Sequence, residues 1–274
     1  MMMKRRIKKS SGLKREDGIY LVLQCLKRTQ SRSTSELYDR CTYDDWKQFC
    51  VYPSYHEIIR AAIELYIKKL LDSQRLSMLN FVYKEFIRDK EICELQISEF
   101  KKIFTANNIN IREFFSNLKD VLMKKHMKKN SIRLVGVPNS CKTLIANCIV
   151  KPFICCYNNN HGSENEFYLS NMLNKAIVLC EELYITIATC EDFKSILSGQ
   201  AIDISKKYNE KQLLCRTPII ITTNFDKFGR GHLSETDESA LRIRCFNYRF
   251  TTPYEPIVRL DAINFYHLFF REVY

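Results

Sequence analysis

The stretch Gly136-Val137-Pro138-Asn139-Ser140-Cys141-Lys142-Thr143 decides the fold of this chain of 274 residues. A phosphate-binding loop has the pattern glycine, four residues, then glycine, lysine and serine or threonine. The spacing, the lysine and the hydroxyl residue all match, but Cys141 stands at the second glycine position. The stretch therefore predicts a loop that holds the phosphates of a nucleotide, with one departure from the pattern.

The residues on either side of the loop fit the strand-loop-helix context that the pattern requires. The apolar run at 132–135 predicts a buried strand, and residues 144–149 predict the first turns of a helix. In such loops, backbone N–H groups surround the phosphates, the lysine reaches the β- and γ-phosphates and the hydroxyl ligates Mg²⁺. These roles fall on Lys142 and Thr143, and a chance match to the pattern is the alternative.

Cys141 can be weighed physically. Glycine at this turn permits a positive φ angle and a close approach of the backbone to the ligand. A non-glycine residue held at positive φ costs about 1–3 kcal/mol. Because cysteine is small, we expect Cys141 to weaken ATP binding rather than to block the site.

The composition favours a packed core and an anionic partner. Hydrophobic residues make up 46% of the chain, which supports a core rather than disorder. The formal net charge is +12, which favours a polyanionic partner. The sequence has no apolar run of about 18 residues, so we expect no membrane span. Its first residues lack the apolar stretch of a signal peptide, so we expect none. Without a secretory signal, we expect the twelve cysteines to be reduced thiols. Because they lack zinc-ligand spacing, we expect no structural metal.

The chain begins with a basic cluster at Lys4, Arg5, Arg6, Lys8 and Lys9. A cluster of this kind is typical of a nuclear-localisation signal or of an arm that contacts DNA. A solvated, disordered tail is the alternative, and it is compatible with either function.

The sequence pattern divides the chain into four segments. We expect a basic, disordered segment at 1–34, with disorder as far as Gly18 and a short element at 19–26. A helical domain follows at 35–129, then an α/β domain at 130–253 and a C-terminal segment at 254–274. The helical domain either serves oligomerisation or DNA contact, or only supports the core. Apolar runs at 132–135, 176–180 and 218–222 alternate with helical segments, which predicts a parallel sheet.

Polar residues follow two of these predicted strands. Glu181 and Glu182 directly follow the run at 176–180, where one carboxylate can hold Mg²⁺ and the other can activate water. Asn224 follows the run at 219–221, where it can contact the γ-phosphate or the attacking water. The alternatives are two surface glutamates at a helix start and a turn asparagine. Arg242 and Arg244 are either surface residues or an arginine finger for a neighbouring subunit.

Several segments, taken in order, resemble the superfamily 3 helicase domain, in particular that of parvovirus non-structural replication initiators of the densovirus or bidnavirus kind. They are residues 136–143, 156–158, 174–182, 194–200, 217–224 and Arg244. The likeness covers residues 130 to 253 and rests on the order and spacing of the motifs.

The resemblance implies an α/β fold with an AAA+-like P-loop NTPase core, a central parallel sheet and a small helical domain before it. It implies a homo-hexameric, ATP-driven 3′-to-5′ DNA helicase that uses ATP and Mg²⁺. The implied partners are single-stranded and replication-origin DNA, without a membrane. The implied setting is viral DNA replication in the host cell nucleus.

The resemblance also assigns roles to individual residues. The implied catalytic residues are Lys142, Glu181, Glu182, Asn224 and Arg244, the last acting across a subunit interface. The implied nucleotide-binding residues are Gly136, Pro138, Asn139, Ser140, Cys141, Lys142 and Thr143, with Thr143 and Glu181 on Mg²⁺. Lys206 and Lys207 fall on a β-hairpin between 199 and 216 that projects into the channel of the ring. Lysines there would hold DNA phosphates without reading sequence.

Departures from the family pattern leave two functions open. Besides Cys141, Asn209 stands where a second hairpin lysine is expected. The resemblance also implies a nicking domain with a paired-histidine metal site. The five histidines of this chain form no His-x-His pair, so we expect no nicking domain. The first hypothesis is an active helicase. The alternative is a degenerate P-loop protein that binds DNA or partners without efficient ATP hydrolysis. A P-loop kinase or another NTPase unrelated to DNA fits the ordered motifs and the basic charge less well.

Overall fold

The computed structural model describes residues 14–159, 167–206 and 209–274. Two compact units divide the chain between Asp72 and Ser73. The domain boundaries at 34/35, 129/130 and 253/254 stay predictions from the sequence pattern. No helix in the described ranges is long and apolar enough to cross a membrane.

The first unit is helical. Its helices are α1 (Arg15–Thr29), α2 (Thr34–Arg40), α3 (Tyr43–Cys50) and α4 (Tyr55–Leu76), the last of which runs on into the second unit. Apolar side chains of all four helices form one core, including Val22, Leu26, Leu37, Phe49, Ile59 and Ala62. Thr42 and Asp45 form a capping box at the start of α3, which satisfies N–H groups that a helix start leaves free.

The N-terminal segment differs from the expectation of disorder as far as Gly18. Residues 1–13, with the basic cluster, lie outside the described residues, but α1 begins at Arg15. Gly18, Val22, Cys25 and Leu26 are buried on one face of this helix. The burial of this face stabilises α1 as a helix, although the charged residues of the segment had favoured disorder in the sequence.

The second unit combines helices with strands. Its helices are α5 (Met78–Phe81), α6 (Glu94–Ala106), α7 (Ile111–Leu122), α8 (Lys142–Val150), α9 (Cys190–Ser198), α10 (Glu235–Arg242) and α11 (Ala262–Val273). Val82–Ile87 forms a π-helix and Ser170–Met172 a 3₁₀ turn. Its strands are β1 (Ser131–Gly136), β2 (Cys155–Asn159), β3 (Ile177–Glu181), β4 (Ile202–Lys206), β5 (Asn209–Leu214), β6 (Ile219–Thr223) and β7 (Cys245–Phe250).

A parallel sheet forms the centre of this unit, in the order β2-β3-β6-β1-β7. Every residue of β6 is buried, as expected for a strand covered on both faces. The sequence prediction of an α/β fold with a central parallel sheet is confirmed. Because all these strands point the same way, the ends of β1, β3, β6 and β7 meet at one edge of the sheet.

A separate antiparallel hairpin, β4–β5, follows α9. At the base of the hairpin Ile202 is paired with Leu214, and near its tip Lys206 is paired with Asn209. Lys207 lies outside the described residues. The strands therefore fit the predicted hairpin between residues 199 and 216.

The C-terminal segment belongs to the same unit. Its helix α11 packs on α6, α7 and α8 through an aromatic cluster that includes Phe100, Phe115, Phe265 and Phe269. The Tyr266 hydroxyl donates to the Ile149 carbonyl over 2.6 Å. The end of the chain therefore supports the helix that begins at Lys142.

Candidate nucleotide-binding site

The predicted loop begins where β1 ends against β7. Gly136 has φ +151°, and a Cβ atom there would lie 1.8 Å from the Phe250 carbonyl oxygen. The same oxygen accepts a hydrogen bond of 3.0 Å from the Val137 N–H. Only glycine allows this approach of two backbones, so Gly136 fixes the path of the loop.

Cys141 adopts the conformation that the missing glycine would supply. It precedes α8 with φ +65° and ψ +11°, in the left-handed region. Its Sγ donates to the Tyr254 carbonyl over 3.1 Å, and the Tyr254 N–H donates to the Asn139 carbonyl over 2.9 Å. Burial raises the pKa of the Cys141 thiol, against the opposing effect of Lys142. The thiol therefore remains protonated and can donate this hydrogen bond.

Lys142 is buried at the start of α8. Its Nζ donates to the Val137 carbonyl and, over 3.1 Å, to Ser140 Oγ. Burial lowers the pKa of this ammonium, while Glu182 acts in the opposite direction. The lysine charge is thus held inside the loop, beside the N-terminus of a helix, where anions bind favourably.

Glu182 and Asn224 meet at the ends of the neighbouring strands β3 and β6. The Asn224 Nδ2 donates to Glu182 Oε1 over 2.9 Å, and the Asn224 N–H donates to Oε2 over 3.2 Å. Glu182 has φ +50°, and its N–H donates to the Thr222 carbonyl over 2.8 Å. The asparagine therefore orients both oxygens of the carboxylate.

A cavity of about 910 Å³ joins these groups. Its lining residues are Pro138, Asn139, Ser140, Cys141, Lys142, Thr143, Leu144, Glu182, Thr222, Asn224, Pro253, Tyr254, Glu255 and Pro256. Small-molecule sites typically have volumes of about 300–1,000 Å³, and this cavity lies near the upper end of that range. Most of the predicted nucleotide-binding residues thus lie around one space.

The cavity presents the groups that a Mg²⁺–nucleotide needs. Thr143 offers an exposed hydroxyl, Glu182 a carboxylate and Lys142 an ammonium. Mg²⁺ is usually held by one or two carboxylates together with substrate phosphates. The donor set therefore fits ATP with Mg²⁺, and Thr143 and Glu182 are the residues that would hold the ion.

Other predicted site residues lie apart from the cavity. Glu181 ends β3 but does not line the cavity, so the carboxylate at hand is Glu182 rather than Glu181. Glu182 directly follows the strand with a left-handed backbone, and its carboxylate is the one that meets Asn224.

Arg244 also lies apart from the cavity. It precedes Cys245, the partner of Ser131 at the start of β1, whereas the loop begins at Gly136, at the other end of that strand. Its guanidinium donates to the Ala240 carbonyl, and its buried Nε has no partner among the described residues. Within one chain, Arg244 and the loop are at opposite edges of the sheet.

Two supporting residues escape the sequence analysis. Glu99 is buried on α6 and accepts from the Tyr254 hydroxyl (2.9 Å) and the Ile257 N–H (3.3 Å). It therefore holds the segment 253–257 beside the loop. A single glutamate on an amphipathic helix gives no sequence signal for this role.

The second is Arg133, on β1 within the run that the sequence indicates as apolar. It is 1% exposed, and its Nη2 donates over 2.8 Å to the carbonyls of both Phe225 and Asp226. Its guanidinium lies 4.2 Å from the centre of the Phe228 ring. Burial lowers its pKa, against the opposing effects of Cys245 and Asp226. Arg133 thus fixes the loop that directly follows Asn224.

The family described as "Parvovirus non-structural protein NS1" matches residues 39–257. The chain belongs to this family. The predicted resemblance is confirmed.

Similar NS1 proteins come from insect viruses. The chain is 31% identical to Initiator protein NS1 of Aedes albopictus densovirus (isolate Boublik/1994) over 200 residues, covering 70% of this chain and 24% of that protein. It is 30% identical to Initiator protein NS1 of Aedes densonucleosis virus (strain GKV 002 002), covering 69% of this chain and 23% of that protein. The chain thus spans about a quarter of the length of these NS1 relatives.

Two further proteins extend the similarity. Protein Rep52 of adeno-associated virus 2 (isolate Srivastava/1982) is 25% identical over 58% of this chain and 40% of its own length. A crystal structure of JCV Helicase with a bound small molecule superposes with a TM-score of 0.50 at 15% identity, over 85% of this chain and 71% of that chain. This likeness to a helicase shows a shared fold.

Proposed function

We propose that this chain is the ATP-driven DNA helicase motor of an NS1-type initiator. The observation that carries the proposal is the cavity in which Lys142, Thr143, Glu182 and Asn224 converge. A phosphate loop, a hydroxyl, an oriented carboxylate and an asparagine are the parts that ATP hydrolysis uses in this class of fold.

In the proposed reaction, the loop N–H groups and Lys142 bind the β- and γ-phosphates of ATP. Bound Mg²⁺ would neutralise phosphate charge beside Thr143 and Glu182. Glu182, oriented by Asn224, accepts a proton from a water whose oxygen bonds to the γ-phosphorus. The bond between that phosphorus and the bridging oxygen breaks, and ADP and phosphate leave.

We further propose a ring, homo-hexameric by resemblance, on single-stranded and replication-origin DNA. Arg244 lies away from the cavity of its own chain, which fits action on the nucleotide of a neighbouring subunit. The β4–β5 hairpin, with Lys206 and Lys207, would contact DNA in the channel. Host nuclear localisation remains a proposal based on the basic cluster at 4–9.

Steady-state ATP hydrolysis with and without single-stranded DNA tests the proposal. We expect Lys142→Ala and Glu182→Gln to lose at least about 100-fold in kcat, the scale expected when a general base is removed. The matched control is Glu181→Gln, which changes the neighbouring carboxylate outside the cavity and is expected to retain more activity. Hydrolysis by the wild type no faster than by Lys142→Ala would contradict the proposal.

Cys141 favours one alternative, the degenerate P-loop protein. Its left-handed conformation is strained for a residue with a side chain. In this alternative, the chain binds DNA or partners without efficient hydrolysis, and glycine at position 141 would restore a fast enzyme.

A further inference from the structure

The turn between α7 and β1 is unusually basic. Residues 124–129, called here the basic turn, read Lys-Lys-His-Met-Lys-Lys. The N–H groups of Lys128 and Lys129 donate to Nδ1 of His126 over 3.2 and 3.1 Å. The Lys129 ammonium lies 4.5 Å from the centre of the Phe246 ring. The turn therefore has a defined conformation that displays its lysines.

Arg216 joins this turn to the base of the β4–β5 hairpin. Its guanidinium donates to the carbonyls of His126 and Lys129 and, over 3.0 Å, to Asn130 Oδ1. Gly199 ends α9 with φ +83°, and a Cβ atom there would lie 2.6 Å from Arg216 Nε. Gly199 is thus required both by its backbone angle and by the space that Arg216 occupies.

The positive charges here have no carboxylate partner among the described residues. None of the lysines of the basic turn, nor Arg75, takes part in an ion pair within the described ranges. Lys124 is half-buried, and its pKa is lowered by burial and by the nearby charges of Arg75 and Arg216, with Cys215 opposing. Like charges held close together are stabilised by an anion.

We propose that the basic turn, with Arg75 and Arg216, binds the phosphate backbone of single-stranded DNA that runs along the β4–β5 hairpin. This inference rests on the proposed function. Arg216 follows β5 by two residues, and Lys211 is an exposed residue of that strand. The six residues of β5 span roughly 20 Å at about 3.3 Å each. Cations along such a length match a linear run of phosphates better than a single anion.

The test is fluorescence anisotropy of a fluorescein-labelled oligothymidylate, titrated with the whole chain at several salt concentrations. The variant is Lys124→Gln/Lys125→Gln, which keeps most of each aliphatic stem. We expect weaker binding and a log-log salt slope smaller in magnitude by about 1.4, since each phosphate contact contributes about 0.7 on a single strand. Lys124→Arg/Lys125→Arg should retain the wild-type affinity and slope.

The matched control is Lys84→Gln/Lys90→Gln, which removes the same charge from exposed lysines on other elements. Its salt slope should equal that of the wild type, and thermal unfolding checks that every variant is folded. If the wild type binds the oligothymidylate and both glutamine variants bind equally well, the inference is overturned while the proposed function stands. If the wild type does not bind, the proposed DNA function itself fails. Displacement of the labelled oligothymidylate by polyglutamate at lower charge concentrations than by unlabelled oligothymidylate would identify an acidic protein as the partner and also overturn the inference.

Discussion

Cys141 shows how a residue can replace glycine in a phosphate loop. The position requires a left-handed backbone, and cysteine adopts it at φ +65°. The thiol then forms a hydrogen bond to the Tyr254 carbonyl that glycine cannot form. A strained conformation and a compensating contact therefore belong to the same side chain.

We predict that Cys141→Ala is less stable than both the wild type and Cys141→Gly. Alanine keeps the strained backbone but loses the thiol hydrogen bond, at a net cost of about 1 kcal/mol, whereas glycine also relieves strain of about 1–3 kcal/mol. Urea unfolding measures the order of stability. If the helicase motor is active, ATP hydrolysis by Cys141→Gly should stay close to that of the wild type, and a large gain would favour the degenerate alternative.

Arg133 allows a second prediction at this scale. Arg133→Met keeps an unbranched chain but removes both hydrogen bonds to the loop after Asn224. We expect a loss of about 3–6 kcal/mol of stability, since each of the two hydrogen bonds from this charged donor contributes about 1.5–3 kcal/mol. Because Asn224 orients Glu182, kcat for ATP hydrolysis should fall more than KM rises.

The control for Arg133 is Arg249→Met, which removes an exposed ion pair with Asp226 of the same loop. Exposed pairs contribute about 0–1 kcal/mol, so this variant should resemble the wild type in both measurements. Equal effects of the two variants on kcat would contradict a positioning role for Arg133.

At the scale of elements, strand ends were predictable and the details beyond them were not. The apolar runs located β1, β3 and β6, and the parallel sheet brought Lys142, Glu182 and Asn224 together as expected. The pattern could not distinguish Glu181 from Glu182, because the two glutamates are adjacent after one apolar run and only the structure shows which carboxylate meets Asn224. The sequence pattern also gave no indication of the role of Arg133, because a single arginine within an apolar run does not change the prediction of a strand.

The cap of α3 gives a prediction about pH. The Arg28 guanidinium, with Thr42, lowers the pKa of Asp45 from its usual 3.8 to about 2. A lowered folded-state pKa means that the stabilisation is fully present above about pH 4 and is lost as the pH falls toward 2. We expect Asp45→Asn to lower stability at neutral pH by about 1 kcal/mol, reduced by solvent screening, and to lose this effect at about pH 2.

Fluorescence of Trp46, the one tryptophan of the chain, follows urea unfolding next to this cap. The control is Asp44→Asn, on the same helix turn but exposed, and it should show a smaller difference. A cost of Asp45→Asn that stays constant between neutral pH and pH 2 would contradict the assigned ion pair.

At the scale of the whole molecule, the proposed helicase site would combine the cavity of one chain with the Arg244 of another. Arg244 and the phosphate loop occupy opposite edges of one sheet. Head-to-tail contacts between identical subunits form rings when the rotation closes, and such contacts can bring the two edges together. A shared site stays a prediction from the family resemblance, because no local pattern shows which subunit an arginine serves.

We predict that two inactive variants complement each other in a mixed assembly. Arg244→Ala retains a whole cavity but lacks the finger, whereas Lys142→Ala retains the finger but lacks the loop lysine. An arginine finger contributes about 10³–10⁵ in rate, so each variant alone should be nearly inactive. After mixing under assembly conditions, ATP hydrolysis should rise well above the mean of the two. Mixtures no more active than their components would argue against a shared site.

Gly136 and Cys141 show that the two glycine positions of the motif are under unequal constraint. At Gly136 any side chain would collide with the backbone of Phe250, whereas at position 141 only a backbone angle is demanded. The first glycine position of the pattern is therefore close to invariable, while the second tolerates a small residue whose side chain forms a hydrogen bond. A search pattern that weights both glycine positions equally would reject family members with cysteine at the second position, and one that relaxes only the second position would recover them.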